Sequence, residues 1–286
     1  MSSVSNEKNR IEGGTLYLVA TPIGNLADLS DRAYKVLSEV DFIAAEDTRN
    51  TGKLLSALGI SKSMVSYYEH NKKSSGEHIL KRLSEGQSCA LVTDAGTPAI
   101  SDPGEDIVRD CIEAGIKVTS VPGAAAVIVA LTLSGMNTRR FAFEGFLPVK
   151  GRERKEMLSE LSAEKRTLVL YEAPHKLKNT LDDLLEYFGA DRRIALCREL
   201  TKLNEEVMRT TLAEAVEYYA QNDPRGEYVL VLEGATKTES GAFWQNMSVE
   251  EHIEYYISQD MKKMDAIKQV AKDRGVPKNE IYKKTI

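Results

Sequence analysis

Short apolar runs alternate with amphipathic segments along the first half of the chain. Residues 14–20, 42–45 and 89–92 are continuously apolar and too short for buried helices, which is typical of buried strands. Segment 31–40 instead repeats its apolar positions every three or four residues, as one face of a helix does. This alternation predicts a mostly parallel sheet covered by helices on both faces.

The same alternation restarts beyond residue 135. Strands are predicted at 141–143, 168–171, 194–198 and 228–233, with helices at 151–161, 176–188 and 212–220 between them. The fold class is therefore α/β, with two tandem α/β domains and a small C-terminal helical segment. The predicted organisation is a disordered tail (1–13), an N-terminal α/β domain (14–135), a second α/β domain (136–235), a linker (236–247) and a basic helical segment (248–286).

The small-residue loop from Thr93 to Gly104 carries the strongest functional signal. It follows the buried strand 89–92, and open α/β sheets bind ligands beyond the carboxyl ends of their strands. Asp94 can accept hydrogen bonds from an amine or hydroxyl, and Gly96 lets a ligand approach the backbone closely. A glycine- and proline-rich connection without any ligand is the alternative.

The helix after this loop has its own start signal. Asp102 is suited to be the N-cap, Pro103 to be the first helical residue, and Glu105 to complete a capping box. The pattern predicts a helix that begins near Gly104.

Composition restricts the class of protein. With 286 residues, 42% hydrophobic and 28% charged, the chain is typical of a soluble globular protein of two domains. No apolar run approaches the ~20 residues of a membrane span, and the first 14 residues lack the apolar core of a signal peptide. Three scattered cysteines indicate reduced thiols in a cytoplasmic protein, and four histidines without a close pair predict no metal site.

The net charge of −5 hides an asymmetry. Residues 261–286 hold eight basic and three acidic residues, so this end is +5 and the remainder of the chain is −10. A basic end on an acidic body favours a polyanionic partner, and a solvated charged face is the alternative. The first strand is followed by neither Gly-x-Gly-x-x-Gly nor a Walker lysine loop, which argues against a dinucleotide dehydrogenase and a P-loop NTPase.

Six motifs occur in a fixed order along the chain. They are LYLVATPIGNL (16–26), AEDTR (45–49), TDAGTPAISDPG (93–104), VPGAA (121–125), FEGFLP (143–148) and YEAPHK (171–176). Together they closely resemble the tetrapyrrole-methylase-like class of S-adenosylmethionine-dependent methyltransferases, in particular its branch that acts on 16S ribosomal RNA. The resemblance covers residues 14–286.

This resemblance implies a fold and a function. S-adenosylmethionine would lie in the cleft between the two α/β domains, and the reaction would methylate the ribose 2′-hydroxyl of a cytidine in the decoding region of 16S rRNA. The implied partners are 16S rRNA or the small ribosomal subunit and a second copy of the chain in a homodimer, with no membrane and no metal.

The resemblance also assigns cofactor-binding positions. They are Pro22, Ile23, Gly24, Asp94, Ala95, Gly96, Thr97, Ala99, Ile100, Ala124, Ala125, Tyr171, Glu172 and Gly226. Many relatives have Ser or Thr where this chain has Ala124 and Ala125. That departure removes a hydroxyl and leaves the backbone N–H groups of a helix start, which still suit a carboxylate.

Transfer to a ribose hydroxyl benefits from a base, because this weak nucleophile loses its proton on attack. Glu46, Asp47 and Arg49 follow a predicted parallel strand and are expected to face the same cleft as Asp94. One carboxylate would take the proton, and Arg49 would orient it or hold an RNA phosphate. An internal salt bridge that anchors the loop is the alternative.

Two basic regions are candidates for RNA contact. They comprise Arg139, Arg140, Lys150, Arg152, Arg154 and Lys155 in the second domain, and Lys272, Lys278 and Lys283 in the tail. The tail pattern predicts a helix-turn-helix, with Gly275 ending one helix and Asn279 capping the next. A solvated helix and a purely structural hairpin are the alternatives.

Two further functions stay open on sequence alone. A methylase of tetrapyrroles or other small molecules would share the chemistry but does not explain the basic tail. A non-catalytic nucleic-acid-binding regulator with a relic cofactor domain is disfavoured by Asp94 and the complete small-residue loop.

Overall fold

The computed structural model describes residues 9–235, 247–259 and 261–283. Most of the predicted tail (1–8) and linker (236–246) lies outside these described residues. The chain divides into two compact units, residues 1–234 and 235–286. Both predicted α/β domains fall within the first unit, and the domain boundaries given above stay predictions.

The first sheet is entirely parallel. Its strands β1 (Thr15–Val19), β2 (Phe42–Ala45), β3 (Met64–Ser66), β4 (Cys89–Val92) and β5 (Lys117–Val121) lie in the order β3-β2-β4-β1-β5. The connecting helices are α1 (Asp31–Glu39), α2 (Thr48–Ala57), α3 (Lys72–Ser84) and α4 (Glu105–Glu113), and a 3-10 turn covers Leu26–Asp28. Separate apolar clusters cover the two faces, one around Val36 and Leu37 and the other around Ile79 and Ile107.

The second sheet is mixed. Its strands are β6 (Phe141–Phe146), β7 (Thr167–Glu172), β8 (Arg193–Arg198), β9 (Glu206–Thr211) and β10 (Tyr228–Leu232), in the order β6-β7-β10-β8-β9. Only the β6–β7 pair is parallel. The helices that accompany this second sheet are α5 (Ala126–Ser134), α6 (Arg152–Ser162), α7 (Pro174–Phe188) and α8 (Leu212–Gln221). The predicted α/β class and tandem arrangement are confirmed, whereas β9 was not predicted.

Helix α5 follows the last strand of the first sheet but packs on the second sheet. Val127, Ala130 and Leu131 share an apolar cluster with Val169 in β7 and Val229 in β10. The chain thus crosses from one sheet to the other at residues 122–125, before the predicted boundary at 135. The start of α5 therefore lies where the two sheets meet.

The C-terminal unit is helical. Helices α9 (Val249–Ser258), α10 (Lys263–Asp273) and α11 (Lys278–Lys283) enclose a small core that includes Ile253 and Ile267. Gly275 ends α10 in the left-handed region, φ +64°, as the sequence predicts. Helix α11 begins at Lys278, one residue before the predicted cap Asn279, whose side chain lies outside the described residues. Within the described part of the chain, every helix is too short or too polar to cross a membrane.

Candidate functional site

Three loops of the first unit are joined by hydrogen bonds at the carboxyl ends of adjacent strands β4, β1 and β5. Thr21 after β1 and Gly96 after β4 exchange two backbone hydrogen bonds, of 2.9 and 3.1 Å. The hydroxyl of Thr97 donates to the Ala124 carbonyl, 3.0 Å away, after β5. Because strand order places these loops side by side, one continuous surface forms from segments far apart in sequence.

A cavity of about 490 Å³ opens on this surface. Helix α5 and the second sheet form its other walls. Its lining residues are Ile23, Ala95, Gly96, Thr97, Ile100, Ser101, Asp102, Ala125, Ala126, Val127, Phe146, Tyr171, Glu172, Ala173, Pro174, His175, Cys197, Leu200, Lys202, Glu227, Tyr228 and Val229. The volume suits a small organic ligand or cofactor, and apolar walls with a few polar groups are typical of such sites.

Eight of the proposed cofactor residues line this cavity. They are Ile23, Ala95, Gly96, Thr97, Ile100, Ala125, Tyr171 and Glu172. Pro22, Asp94, Ala99 and Ala124 lie beside lining residues without lining the cavity themselves. Asp94 is exposed and accepts a hydrogen bond from the Asn50 side chain, 3.0 Å away, which anchors the loop to α2.

Gly24 and Gly226 are packing positions at the rim of the cavity. A Cβ added to Gly24 would clash with the side chain of Lys202, and one added to Gly226 would clash with the carboxyl group of Glu199. Both glycines adopt positive φ, +154° and +79°. Lys202 is itself held by Glu199 and Glu227, at 2.8 and 2.7 Å. These glycines therefore shape the cavity by letting the loop after β8 approach.

Asp102 is not a helix cap, contrary to the sequence prediction. Gly104 is the N-cap of α4, with φ +147° and no side-chain cap, because the preceding loop turns through left-handed residues at Ala99 (φ +66°) and Ser101 (φ +60°). A positive φ raises the conformational free energy of residues that have a Cβ, and such backbone strain is typical of functional loops. As a result Asp102 leaves the helix end and lines the cavity.

The surroundings of Asp102 make it a proton acceptor matched to neutral pH. Burial, followed by the negative charges of Glu46 and Asp94, raises the pKa of Asp102 to about 6. The Thr93 hydroxyl donates its one proton to Glu46, 2.7 Å away. A half-buried carboxyl group with this pKa inside a cavity is a candidate general base.

Glu46, Asp47 and Arg49 do not line the cavity. Asp47 caps α2 through the Arg49 amide and pairs with the Arg49 side chain at 2.9 Å. Those hydrogen bonds from Arg49 lower the pKa of Asp47 to about 2, which makes it a weak base. The proposed catalytic trio is thus divided: Asp47 and Arg49 form the anchoring salt bridge that was the alternative, and Glu46 acts on Asp102 by its charge.

The start of α5 presents backbone N–H donors to the cavity. Ala125 is the N-cap of this nine-residue helix and provides no side-chain cap, and Ala125, Ala126 and Val127 all line the cavity. The first N–H groups of a helix lack intrahelical acceptors and carry a partial positive charge. They can hold a ligand carboxylate here.

The opposite wall combines a ring cluster with a bound carboxylate. Tyr171 contacts the rings of Phe143 and Phe146 edge-on, at centroid distances of 4.9 and 5.6 Å. Glu172 is buried, and it accepts hydrogen bonds from the Ala173 amide (2.8 Å) and the Thr180 hydroxyl (2.5 Å). Tyr171 therefore gives an apolar surface to a planar ligand, whereas Glu172 holds the start of α7 in place.

The sequence analysis missed several lining residues of the second sheet. Cys197, Leu200, Lys202 and Glu227 come from β8, from the loop after it and from the residue before β10, and no short motif marks them. His175, in the YEAPHK motif, also lines the cavity. Its place directly after Pro174, at the start of a helix that follows a strand, was the available signal.

The proposed RNA-contact residues differ in availability. Arg139, Arg140, Lys150 and Lys155 are exposed, and Arg152 is exposed but paired with Glu156 at 2.6 Å. Arg154 is 9% exposed, and its guanidinium donates to Asp183 (2.7 Å), the Pro148 carbonyl (2.8 Å) and Thr180 (3.0 Å). It is therefore a structural residue and is removed from the proposed RNA-contact residues.

In the C-terminal unit Lys272 is exposed and Lys278 half-buried, while the Lys283 side chain lies outside the described residues.

Arg154→Ala is expected to lower the free energy of unfolding by about 3 kcal/mol, because it leaves the Asp183 carboxylate and the Thr180 hydroxyl partly buried without their partner. Arg152→Ala, on the same helix, removes an exposed pair and should cost well under about 1 kcal/mol. Urea unfolding of both variants checks this. Equal stability of the two would contradict the structural role of Arg154.

Among the residues that the structure describes, no three His, Cys, Asp or Glu side chains cluster in a way that could hold a metal ion.

Comparisons with known proteins converge on one family. The model of the tetrapyrrole (corrin/porphyrin) methylases matches residues 15–216. A ribosomal RNA small subunit methyltransferase I of Halalkalibacterium halodurans is 48% identical over 284 residues, 99% of this chain and 98% of that relative. One of Bacillus subtilis is 47% identical over 272 residues, 94% of this chain and 93% of that relative.

A solved structure shares the fold. It is the uroporphyrin-III C-methyl transferase from Thermus thermophilus, complexed with S-adenyl homocysteine. The TM-score is 0.56 at 19% identity, over 77% of this chain and 97% of that one.

Proposed function

This chain belongs to the tetrapyrrole methylase family and, within it, to the ribosomal RNA small subunit methyltransferases I, and from that premise we propose that it methylates the ribose 2′-hydroxyl of a cytidine in the decoding region of 16S rRNA. It is a methyltransferase that uses S-adenosylmethionine. The observation that supports methyl transfer to a ribose hydroxyl is the position of Asp102. This carboxylate lies in the cavity and can take the proton of the hydroxyl.

The cavity fits S-adenosylmethionine in three respects. The uncapped start of α5 suits the carboxylate of the methionine part. The apolar walls around Tyr171 and Val229 suit the adenine ring. The Asp102 carboxylate favours a ligand that carries a positively charged sulfonium and ammonium, whereas Glu227 is already paired with Lys202.

When bound, S-adenosylmethionine would supply an electrophilic methyl group for the ribose oxygen, with a neutral thioether as the leaving group. The protein must align the hydroxyl with that methyl group and exclude water. Asp102 takes the hydroxyl proton as the bond forms. Burial, together with the negative charge of Glu46, keeps the pKa of Asp102 high enough for this role.

Transfer to RNA tests the proposal directly. The purified protein is incubated with radiolabelled S-adenosylmethionine and either 16S rRNA, isolated small subunits or a tetrapyrrole. The proposal requires label on an RNA ribose oxygen and none on the tetrapyrrole. Label on the tetrapyrrole alone, or on an RNA base, would contradict it.

The C-terminal unit is proposed to contribute RNA affinity. Deleting residues 245–286 removes the basic stretch 261–286, which carries +5, together with four acidic residues that precede it, whereas every residue that lines the cavity lies before residue 235. The truncated protein should bind S-adenosylmethionine as the full chain does. Its affinity for 16S rRNA should fall and depend less steeply on salt, because fewer phosphates are neutralised. A filter-binding titration over several salt concentrations measures both. Unchanged RNA affinity and methylation would assign the unit no part in RNA binding.

A further inference from the structure

A second groove lies behind the start of α7, separate from the cavity described above. It has a volume of about 460 Å³ and opens between α6 and α7. The first turn of α7 divides the two sites: Ala173, Pro174 and His175 line the cavity, while Lys176 and Asn179 line the groove. His175 and Lys176 are neighbours in sequence but line different sites, so the cavity and the groove adjoin the same start of α7.

The groove carries an excess of positive charge. Lys150, Lys155 and Lys176 line it, and within the described part of the chain none of the three forms a salt bridge. Arg154 is neutralised by Asp183, which leaves Glu186 as the remaining carboxylate in the lining. Three ammonium groups against one carboxylate favour an anionic ligand.

The wall of the groove is held rigidly to the wall of the cavity. Arg154 fixes α6 to α7 through Asp183 and Thr180, and the Thr180 hydroxyl in turn donates to Glu172 in the cavity wall, 2.5 Å away. Each member of this chain of hydrogen bonds is buried or half-buried. The distance between groove and cavity is therefore set by the fold and not by mobile side chains.

We propose that this groove binds a backbone phosphate of the substrate RNA, next to the nucleotide whose ribose enters the cavity. The inference rests on the proposed function, since it takes the RNA as substrate. Lysine is a compact point charge suited to phosphate, and the Asn179 amide adds a neutral donor. A phosphate held here would fix the RNA strand beside the cavity that Asp102 lines and so align the acceptor hydroxyl.

The test compares two triple variants that each lose three positive charges. The groove variant is Lys150→Gln, Lys155→Gln and Lys176→Gln. The control is Lys73→Gln, Lys81→Gln and Lys165→Gln, which are exposed lysines outside the groove and without a salt bridge in the described structure. The measurements are the Kd for a single-stranded 16S rRNA fragment at several salt concentrations, the Kd for S-adenosylmethionine, and the kinetics of methyl transfer.

The groove variant should bind the fragment roughly tenfold more weakly, with a salt slope reduced by about 0.7 for one lost phosphate contact. Its KM for RNA should rise while its affinity for S-adenosylmethionine stays unchanged. The control should stay within about twofold of the wild type, because exposed distant charges are screened.

Three outcomes would overturn the inference. Equal RNA affinity of the groove and control variants would show that the groove binds no phosphate. Unchanged affinity for naked RNA with loss of binding to the assembled small subunit would assign the groove to a ribosomal protein. If the wild-type protein methylates no RNA at all, both the proposed function and the proposed phosphate site are wrong. If the wild type methylates RNA and the groove variant does so equally well, only the proposed phosphate site is wrong.

Discussion

Replacing Asp102 with asparagine should lower the rate of methyl transfer by roughly 10²–10⁴-fold, the usual contribution of a general base. Asparagine has nearly the same shape but cannot take the hydroxyl proton. S-adenosylmethionine should still bind, since the apolar walls and the start of α5 stay in place. Single-turnover transfer to 16S rRNA, with calorimetric cofactor binding beside it, measures the two effects separately.

The pH dependence gives a second readout of Asp102. Its ionised form is the active one, so transfer should fall about tenfold per pH unit below its pKa of about 6 and level off above it. Glu46→Gln removes a negative charge that raises this pKa, so the acidic limb should move to lower pH with the plateau largely kept. Loss of the plateau in Glu46→Gln would instead make Glu46 the base.

Stability should change in the opposite direction from activity. The Asp102 carboxyl ionises at higher pH in the folded chain than in the unfolded chain. The folded state therefore binds more protons than the unfolded state between about pH 4 and 6. As pH rises through that range, the free energy of unfolding decreases. Asp102→Asn should remove this cost and raise the melting temperature at pH 7. Asp110→Asn, in α4 and away from the cavity, should change neither transfer nor pH profile. An inactive and destabilised Asp102→Asn would point to a structural role.

Gly96→Val should abolish the binding of S-adenosylmethionine. Gly96 lines the cavity at φ +91°, where a β-branched residue is strained, and an added Cβ would lie 3.4 Å from Ile23 Cγ2. The valine methyl groups would extend further into the space the ligand needs. Wild-type protein should gain about 2.7 kcal/mol of stability at a ligand concentration one hundred times Kd, and the variant should gain none.

A matched variant separates ligand exclusion from backbone strain. Gly115→Val also places valine at positive φ, +69°, but no atom lies within 4 Å of an added Cβ there. Gly115→Val should lower the free energy of unfolding by a similar amount. Its melting temperature should still rise with S-adenosylmethionine as much as that of the wild type. If Gly96→Val still shows a normal shift, or if both variants lose it equally, this cavity is not the cofactor site.

The first sheet and its ligand loops could be predicted because local patterns specify them. Buried parallel strands such as 89–92 are continuously apolar, and the glycine at position 96 marks a left-handed turn that other residues adopt at a cost. The pattern of β9 is weaker: Glu206–Thr211 is half-exposed and polar, since it lies at the edge of the sheet and pairs only with β8.

Asp102 shows why the rest of the site was not predictable. Its spacing to Glu105 fits a capping box, and nothing local reveals that Ala99 and Ser101 adopt positive φ and move the helix start to Gly104. Lys202 and Glu227 reach the cavity only through the pairing of distant strands. Arg154 was predictable in hindsight, because Arg154, Leu158 and Leu161 share the buried face of α6 at helical spacing.

Mapping of ribose methylation in 16S rRNA tests the central claim most directly. RNA is taken from cells that lack this gene and from the same cells supplied with it, and 2′-O-methylated positions are read from resistance to alkaline cleavage. The account predicts one cytidine in the decoding region that is methylated only when the gene is present. Identical methylation in both cell lines, or a gene-dependent mark on a base instead of a ribose, would contradict it.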